Sequence, residues 1–431
     1  MTVTDSNLPP AGRDSLTDDL RWRGLIQDST DPDELRALLD GPGATAFYVG
    51  FDPTAPSLHV GHLMQVTTAR RLQLAGHRPL LLVGGATGQI GDPKESAERT
   101  LNPPEVVAGW VRRIRDQLAP FVSYTGEAAA RLVNNLEWTA EMSVVEFLRD
   151  VGKHFPVNRM LAREVVRARL ESGISFTEFS YQLLQAHDFF ELHRRYGCQL
   201  QFGGSDQWGN ITAGVDYVRR RGLGPVQAFT TPLVTKSDGS KFGKTEGGAI
   251  WLDPEMTSPY AFYQFWINVD DRDVGRYLRY FSFRSRAELE ALEKETAERP
   301  ASRAAQRALA EELTTLVHGE REMAQVVAAS QALFGRGSLE DLSPVTLRAA
   351  LTEAGLVRLG EFPEVAALFK ESGLVPSMKE ARRVIAEGGA YVNNNRVTEA
   401  DAVMAPDDLL HGRYLVLRRG KRSFAGVELD G

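Results

Sequence analysis

In Tyr48-Val-Gly-Phe-Asp-Pro-Thr-Ala-Pro-Ser-Leu-His59-Val-Gly-His62 an apolar run leads into two imidazoles three residues apart, with a glycine between them. The pattern reads as a strand entering a helix whose first turn carries both rings on one face. Gly61 lets a base or ribose approach the backbone, and the free N–H groups of a helix start favour anionic oxygen. That chemistry suits a nucleotide triphosphate; the alternative is that His59 and His62 are loop or cap residues with ordinary hydrogen bonds. A second element is Ser237-Asp-Gly-Ser-Lys241-Phe-Gly-Lys244-Thr245. Two ammonium groups on a glycine-bearing loop can close over a triphosphate and stabilise charge on a departing pyrophosphate, unless the loop is only a solvated hairpin tip. The two elements are independent signals for one phosphate chemistry.

Such groups need a frame. Ala46-Phe-Tyr-Val-Gly-Phe and His77-Arg-Pro-Leu-Leu-Leu-Val are apolar, β-rich runs separated by the helix that begins at the imidazoles. Strand, helix, strand with loops at the strand tips is the grammar of a parallel sheet. A ligand is then expected at the carboxyl ends, where Asp52, His59 and Asp92 converge. Val106 to Leu192 reads as mostly helical, and a further strand, Gln199-Leu-Gln-Phe, ends in Gly203-Gly-Ser-Asp-Gln-Trp-Gly-Asn210. Pro259 to Ala332 is again helical, and Phe334-Gly-Arg-Gly-Ser reads as the start of a linker. The last part shows helices around Pro363–Ser372 and Ser377–Glu387, then strands at Ala390-Tyr-Val-Asn and Tyr414-Leu-Val-Leu.

With 25% charged and 42% hydrophobic residues over 431 positions, the chain is ordinary globular material long enough for two or three cores. A net charge of −7 argues against nonspecific coating of nucleic acid, so any such contact must come from local basic clusters. Cys198 is the only cysteine, which excludes an intrachain disulfide and a multi-thiolate metal site and suits a reducing cytosol. No apolar stretch approaches the ~18 residues of a membrane span. The expectation is a soluble, cytoplasmic protein without a membrane partner.

The motifs together resemble the bacterial tyrosyl-tRNA synthetases, which are class I aminoacyl-tRNA synthetases. His59-Val-Gly-His62 is similar to the class signature HIGH, and Lys241-Phe-Gly-Lys-Thr245 to the tyrosyl form of KMSKS. The likeness extends through Val83-Gly-Gly-Ala-Thr-Gly-Gln-Ile-Gly-Asp-Pro, Phe176-Thr-Glu-Phe-Ser-Tyr181-Gln-Leu-Leu-Gln185-Ala-His-Asp188 and Gly203-Gly-Ser-Asp-Gln-Trp-Gly-Asn-Ile. It implies an α/β fold: a Rossmann-like parallel-sheet catalytic domain at 1–250, an all-helical anticodon-side domain at 251–335, a linker at 336–360 and a small α+β RNA-binding domain at 361–431. The implied activity is tyrosine–tRNA ligation, in which tyrosine and ATP give tyrosyl-adenylate and the tyrosyl group passes to the terminal adenosine of tRNA. Mg²⁺ is expected to arrive with ATP, no residues are assigned to a metal, and the implied assembly is a homodimer.

Carried over by position, the resemblance gives Tyr48 and Asp188 to the phenol, Tyr181 and Gln185 to the substrate ammonium, and Asp92 and Gln207 to that same end. Tyr181, Gln185 and Asp188 are spaced four and three apart, so one helix face presents all three; the alternative is a core stripe with these polar residues at its rim. Gly50, Asp52, Thr54, His59, Gly61, His62, Asp206, Lys241 and Lys244 are expected around ATP. Thr54, His59, His62, Lys241, Lys244 and Thr245 are the expected catalytic set, acting by positioning and charge because the attacking carboxylate is already ionised. The run Lys94-Glu-Ser-Ala-Glu-Arg99 departs from the family pattern by being a residue shorter than in some relatives. At the tail, Lys379, Arg382 and Arg383 share a helix face, and His411 to Phe424 holds five cations, among them Arg418, Arg419, Lys421 and Arg422, and no acid. A terminal charge run is usually just solvated, but its likeness to a small ribosomal RNA-binding domain makes these the expected tRNA contacts. Rivals are a tryptophan-specific synthetase, a nucleotidylyltransferase, and an RNA-binding protein that has lost catalysis.

Overall fold

The computed structural model describes residues 15–93, 101–237, 242–245, 248–360, 363–420 and 423–429, with backbone alone at Lys244 and Thr245. Lys94, Arg99, Lys241, Lys421 and Arg422 lie outside the described residues. The chain divides into two compact units, one running to Asp253 and including Asp270–Ala305, the other formed by Pro254–Val269 and Gln306 onward.

The first unit is built on six strands: β1 Asp28–Ser29, β2 Ala46–Phe51, β3 Arg78–Val83, β4 Arg131–Asn134, β5 Cys198–Gly204 and β6 Gln227–Thr231. Their order is β1-β6-β5-β2-β3-β4, with all neighbours parallel except the edge pair β1–β6. The α/β expectation therefore holds. After the short edge strand β1, the chain lays down β2, builds outward through β3 and β4, then crosses to lay β5 and β6 on the other side. The order reverses between β2 and β5, and a crevice opens there at the carboxyl ends. Both faces of β2 and β3 are largely covered, which is why these two strands read as continuous apolar runs. Phe47, Phe202 and Phe229, each at most 1% exposed, pack in series with centroids 6.0 and 5.2 Å apart, while Tyr48 packs on Phe189 at 5.2 Å. Burying each such ring stabilises the fold by about 1.5–3 kcal/mol. Strand β4 breaks the helical reading of Val106 to Leu192, and its pairing with Leu80 to Val83 carries the crevice out as far as Asn134 and Asn135.

The helix Phe176–Tyr196 starts on Ser175, whose side chain accepts from the Glu178 N–H, and stops on Gly197 in the left-handed region at φ 65°. It buries Tyr181, Asp188, Phe189 and Leu192 against the sheet.

In the second unit a sheet of order β11-β10-β12-β13-β9 is made by β9 Leu356–Leu359, β10 Ala390–Val392, β11 Asn395–Arg396, β12 Tyr414–Arg419 and β13 Ser423–Leu429. Asn393 and Asn394, at φ 48° and 66°, form the two-residue turn between β10 and β11, a conformation asparagine tolerates better than most residues. The helices Val365–Glu371 and Met378–Ala386 supply Leu368, Phe369, Val384 and Ile385 to the core of this sheet. Residues 336–360, expected as a linker, carry the helix Pro344–Glu353 and β9, which pairs in parallel with β13. Leu347, Ala350 and Leu351, spaced three and four apart, give that helix a buried face.

Candidate active site

The imidazole pair does sit on a helix start, and its role there corrects the expectation of free N–H groups. His59 is the N-cap of the helix Val60–Leu74, and its Nδ1 accepts from the Gly61 N–H at 3.0 Å. His62 Nδ1 accepts in return from the His59 N–H at 3.1 Å. The Val60 N–H donates to the Ile250 carbonyl and the His62 N–H to the His59 carbonyl. The first turn thus has its backbone donors engaged, which is the cap alternative. A ring that accepts at Nδ1 while neutral carries its proton on Nε2, so each imidazole offers an N–H donor rather than a helix-end amide. Burial, and then the neighbouring His59 ring, lower the His62 pKa to about 3, so this donor is uncharged at neutral pH. Gly61 is required by contact: a Cβ there would lie 2.7 Å from His59 Cε1.

The described part of the lysine loop is tied by backbone bonds to this helix start. Lys244–Thr245 forms β7, paired with β8 Gly248–Ala249. Ile250 joins the two elements, since its N–H donates to the Gly243 carbonyl and its carbonyl accepts from Val60. Upstream, the Ser237 N–H donates to Asp273, the Tyr277 hydroxyl donates to the Thr235 carbonyl at 2.9 Å, and the Phe242 ring packs 5.1 Å from Tyr277.

On the other side of β2 lies a buried polar cluster. Tyr48 is 2% exposed and its hydroxyl has no hydrogen-bond partner. Asp188, also 2% exposed, accepts from Trp138 Nε1 at 2.9 Å and from Asn135 Nδ2 at 3.0 Å. Burial raises the Asp188 carboxyl to about 8 against the opposing pull of those two donors. One helical turn and more away, the Tyr181 hydroxyl donates to Asp52 Oδ2 at 2.6 Å, and burial pushes this phenol well above its usual pKa. Asp52 Oδ1 accepts from Thr87 Oγ1 at 2.6 Å. A Cβ at Gly84 would stand 2.0 Å from Asp52 Oδ1, so glycine is what admits that contact. Gln185 is half-buried on the helix face shared with Tyr181 and Asp188.

Asp92 accepts from Gln207 Nε2 at 2.9 Å and Asn210 Nδ2 at 3.0 Å, and Gln207 also donates to Asp206 at 3.0 Å. Burial lowers the Arg163 pKa, which Asp92 and then Tyr181 oppose as nearby charges. Gly50 and Thr54 are exposed at the mouth of the crevice. Of the residues expected around tyrosine and ATP, Tyr48, Asp52, Asp92, Tyr181, Asp188, Asp206 and Gln207 are described in or beside β2, β3, β4 and β5 and the loops that follow them, while Lys241 lies outside the described residues. Asn135, Trp138, Thr87 and Asn210 join them without having been named from the sequence. Asn210 stood inside a quoted motif and Thr87 inside another; Asn135 and Trp138 follow β4, and without that strand no signal pointed to them.

The tail cations behave differently. Arg418 is 8% exposed and lies 4.0 Å over the Tyr391 ring. Arg382 pairs with Asp401 at 3.0 Å, Arg383 with Glu380 at 2.7 Å, and Arg419 with Glu380 at 3.3 Å. Lys379 is exposed. Several of the cations counted from the sequence are thus held against local acids or an aromatic face.

Comparison with known proteins agrees with this architecture. The family described as "tRNA synthetases class I (W and Y)" matches residues 42–335, and "Tyrosine--tRNA ligase SYY-like C-terminal domain" matches residues 360–427. A tyrosine–tRNA ligase of Streptomyces coelicolor is 66% identical over 422 residues, covering 96% of this chain and 99% of that protein. One from Thermobifida fusca is 61% identical, covering 96% and 99%. Among solved structures, a C-terminally truncated mitochondrial tyrosyl-tRNA synthetase of Aspergillus nidulans superposes with a TM-score of 0.68 at 34% identity, covering 75% of this chain and 95% of the other. A tryptophanyl-tRNA synthetase of Plasmodium falciparum, at TM-score 0.52 and 14% identity over 77% and 87%, shares the fold alone. With both family descriptions matched and nearly full-length relatives at this identity, the chain belongs to the bacterial tyrosyl-tRNA synthetases, the class I enzymes that ligate tyrosine to tRNA.

Proposed function

We propose that the tyrosine–tRNA ligase reaction is divided among these residues as follows. The carrying observation is the Tyr48 hydroxyl, buried beside Asp188 and without a partner of its own. A buried hydroxyl left unpaired costs roughly 1–3 kcal/mol, a cost relieved by a ligand that brings a phenol and not by one that lacks it. Tyr48 and Asp188 therefore hold the phenol, with Tyr181, Gln185, Asp92 and Gln207 at the ammonium end. The tyrosine carboxylate attacks the α-phosphorus of ATP; the new O–P bond forms as the bond to pyrophosphate breaks, and pyrophosphate leaves with the electron pair.

Thr54 and the Nε2–H groups of His59 and His62 face the β- and γ-phosphates, while Gly50, Asp52, Gly61 and Asp206 border the nucleoside. Lys241, Lys244 and Thr245 stabilise the charge that develops on the leaving group. Among the described residues there is no group of three or more His, Cys, Asp or Glu placed to hold a metal ion, and magnesium enters this reading as part of the MgATP substrate. In the second step a ribose hydroxyl of the terminal adenosine attacks the tyrosyl carbonyl and AMP departs. Lys379, with Lys421 and Arg422, is the part of the tail we assign to tRNA phosphate, and Arg382, Arg383, Arg418 and Arg419 frame that surface.

Replacing Tyr48 by phenylalanine tests the pocket. Tyrosine-dependent pyrophosphate exchange should persist, and the ratio of kcat/KM for tyrosine over phenylalanine should fall about 5–10-fold, the equivalent of one hydrogen bond of ~1 kcal/mol. An unchanged ratio refutes the phenol assignment, and exchange with tryptophan but not tyrosine would refute the function.

The homodimer is proposed from a run of exposed apolar side chains. Val144, Val145, Val157 and Phe176 are 75%, 71%, 58% and 71% exposed, with Leu148 and Leu170 near half. All six belong to the segment between residues 144 and 176, and we read this concentration of exposed apolar side chains as an interface. Phe176→Asp should shift the protein from dimer to monomer in sedimentation velocity at micromolar concentration; an unaltered sedimentation coefficient places the interface elsewhere. No helix among the described residues is long and apolar enough to cross a membrane. We assign the enzyme to the cytoplasm, where its tRNA is.

A further inference from the structure

The pocket's two polar ends are joined by one chain of hydrogen bonds. It starts at Trp138 Nε1, which donates to Asp188 Oδ1 at 2.9 Å. Asp188 Oδ2 accepts from Asn135 Nδ2 at 3.0 Å, and the same nitrogen donates to Thr87 Oγ1 at 2.9 Å. Thr87 donates to Asp52 Oδ1 at 2.6 Å, and Asp52 Oδ2 accepts from the Tyr181 hydroxyl at 2.6 Å. Asp188 and Tyr181 stand seven residues apart on the helix Phe176–Tyr196, so the chain leaves that helix and returns to it two turns away.

Its direction is fixed. Asn135 Oδ1 accepts from the Ala86 N–H at 2.7 Å, which settles the amide so that Nδ2 faces both Asp188 and Thr87. A threonine hydroxyl has a single proton, and the carboxylate of Asp52 takes it, leaving the oxygen lone pair for Asn135. Thr87 is 2% exposed, which keeps water from substituting for either bond. Rotation of Asn135, and with it the seat of Asp188, is thereby tied to the position of Asp52 and Tyr181. Networks of this kind are worth more than their separate bonds, because each member restricts the next.

We propose that Thr87 is a positioning residue whose hydroxyl couples recognition of the substrate phenol at Asp188 to alignment of the reacting end at Asp52 and Tyr181. The proposal rests on the reading that Tyr48 and Asp188 hold the phenol. It accounts for a threonine at a position where packing alone would accept valine, which has the same shape and cannot bridge.

Phenylalanine supplies the diagnostic probe. It shares the ammonium and carboxylate of tyrosine, so a change made at the Asp52 end alters the tyrosine-to-phenylalanine ratio only if it is felt at the phenol. For Thr87→Val the ratio of kcat/KM values from pyrophosphate exchange should fall about 10-fold or more, with kcat for tyrosine reduced as well, and Thr87→Ser should restore both. Tyr181→Phe, which cuts the chain at its far end and leaves Thr87 in place, should narrow the ratio in the same direction. It also serves if Thr87→Val does not fold. A wild-type ratio in Thr87→Val or Tyr181→Phe overturns the proposal, as does a Thr87→Ser enzyme as impaired as Thr87→Val. Tyr48→Phe separates the two levels. If it narrows the ratio while Thr87→Val and Tyr181→Phe do not, the coupling fails and the pocket stands; if Tyr48→Phe leaves the ratio unchanged, the pocket reading itself fails.

Discussion

Asp188→Asn should lower kcat/KM for tyrosine by about two to three orders of magnitude while phenylalanine activation falls far less. Both Asp188 oxygens accept a buried N–H, one from Trp138 and one from Asn135. An amide can accept through only one of its two heads, so its NH₂ must face a donor it cannot pair with. Losing one such bond and opposing two donors in a buried site costs about 3–4 kcal/mol, which converts to the stated range. Steady-state exchange with each amino acid measures it, and a loss below 10-fold would remove Asp188 from the recognition of the phenol. The same substitution carries a pH signature. Burial raises the folded-state pKa to about 8 from an ordinary value of 3.8. The carboxyl therefore contributes stability that is fully present below the unfolded value and lost as pH rises through the folded one. Between pH 6 and 9 the wild-type thermal midpoint should decline by more than that of Asp188→Asn.

Lys244→Ala should slow adenylate formation by about 10²–10³-fold, the usual consequence of removing one group that meets developing charge. Tyrosine KM should stay within about twofold, because the phenol and ammonium groups are bound elsewhere. The structure sharpens the reason for so large an effect. His62 is held neutral, so it contributes a dipole and not a charge to the phosphate side. In the proposed division of roles, the positive charge that meets the departing pyrophosphate then comes chiefly from the lysines and from the magnesium that accompanies ATP. The ribbon carrying Lys244 shares Ile250 with the helix start, and backbone bonds on both sides keep it beside the imidazoles. Rapid-quench measurement of the first turnover tests the claim; equal losses in rate and in tyrosine affinity would reduce Lys244 to a binding or folding role.

Much of the frame was legible because its strands are buried on both faces. β2 and β3 each present an apolar run ended by glycine or aspartate, and β5 alternates Gln with Leu and Phe before its two glycines; each was found within a residue or two. β4 escaped because Arg-Leu-Val-Asn is only four residues long and half-exposed, so its run is no longer than a helical turn. With it went Asn135 and Trp138, whose functional place depends on the strand that delivers them. The face of Tyr181, Gln185 and Asp188 could be read from spacing alone, since helical period is a property of sequence. Which nitrogen of His59 or His62 points at the backbone is not, because a spacing of three serves a cap and a ligand site equally well. The partners of the tail cations were hidden for a related reason: composition counts cations, and only the fold reveals that Arg418 lies on Tyr391 or that Glu380 takes both Arg383 and Arg419.

The reciprocal cap at His59 and His62 has a bearing on the cell's transition metals. Two imidazoles three residues apart, with ring centroids 4.0 Å from each other, are a natural chelate for zinc, nickel or copper. Here each Nδ1 lone pair accepts a backbone N–H and each Nε2 carries the proton, so neither ring has an electron pair to give. Capturing a metal would require unmaking both caps at about 1 kcal/mol each and shifting two protons. The hydrogen bonds that start the helix thereby also keep this pair of rings closed to such ions.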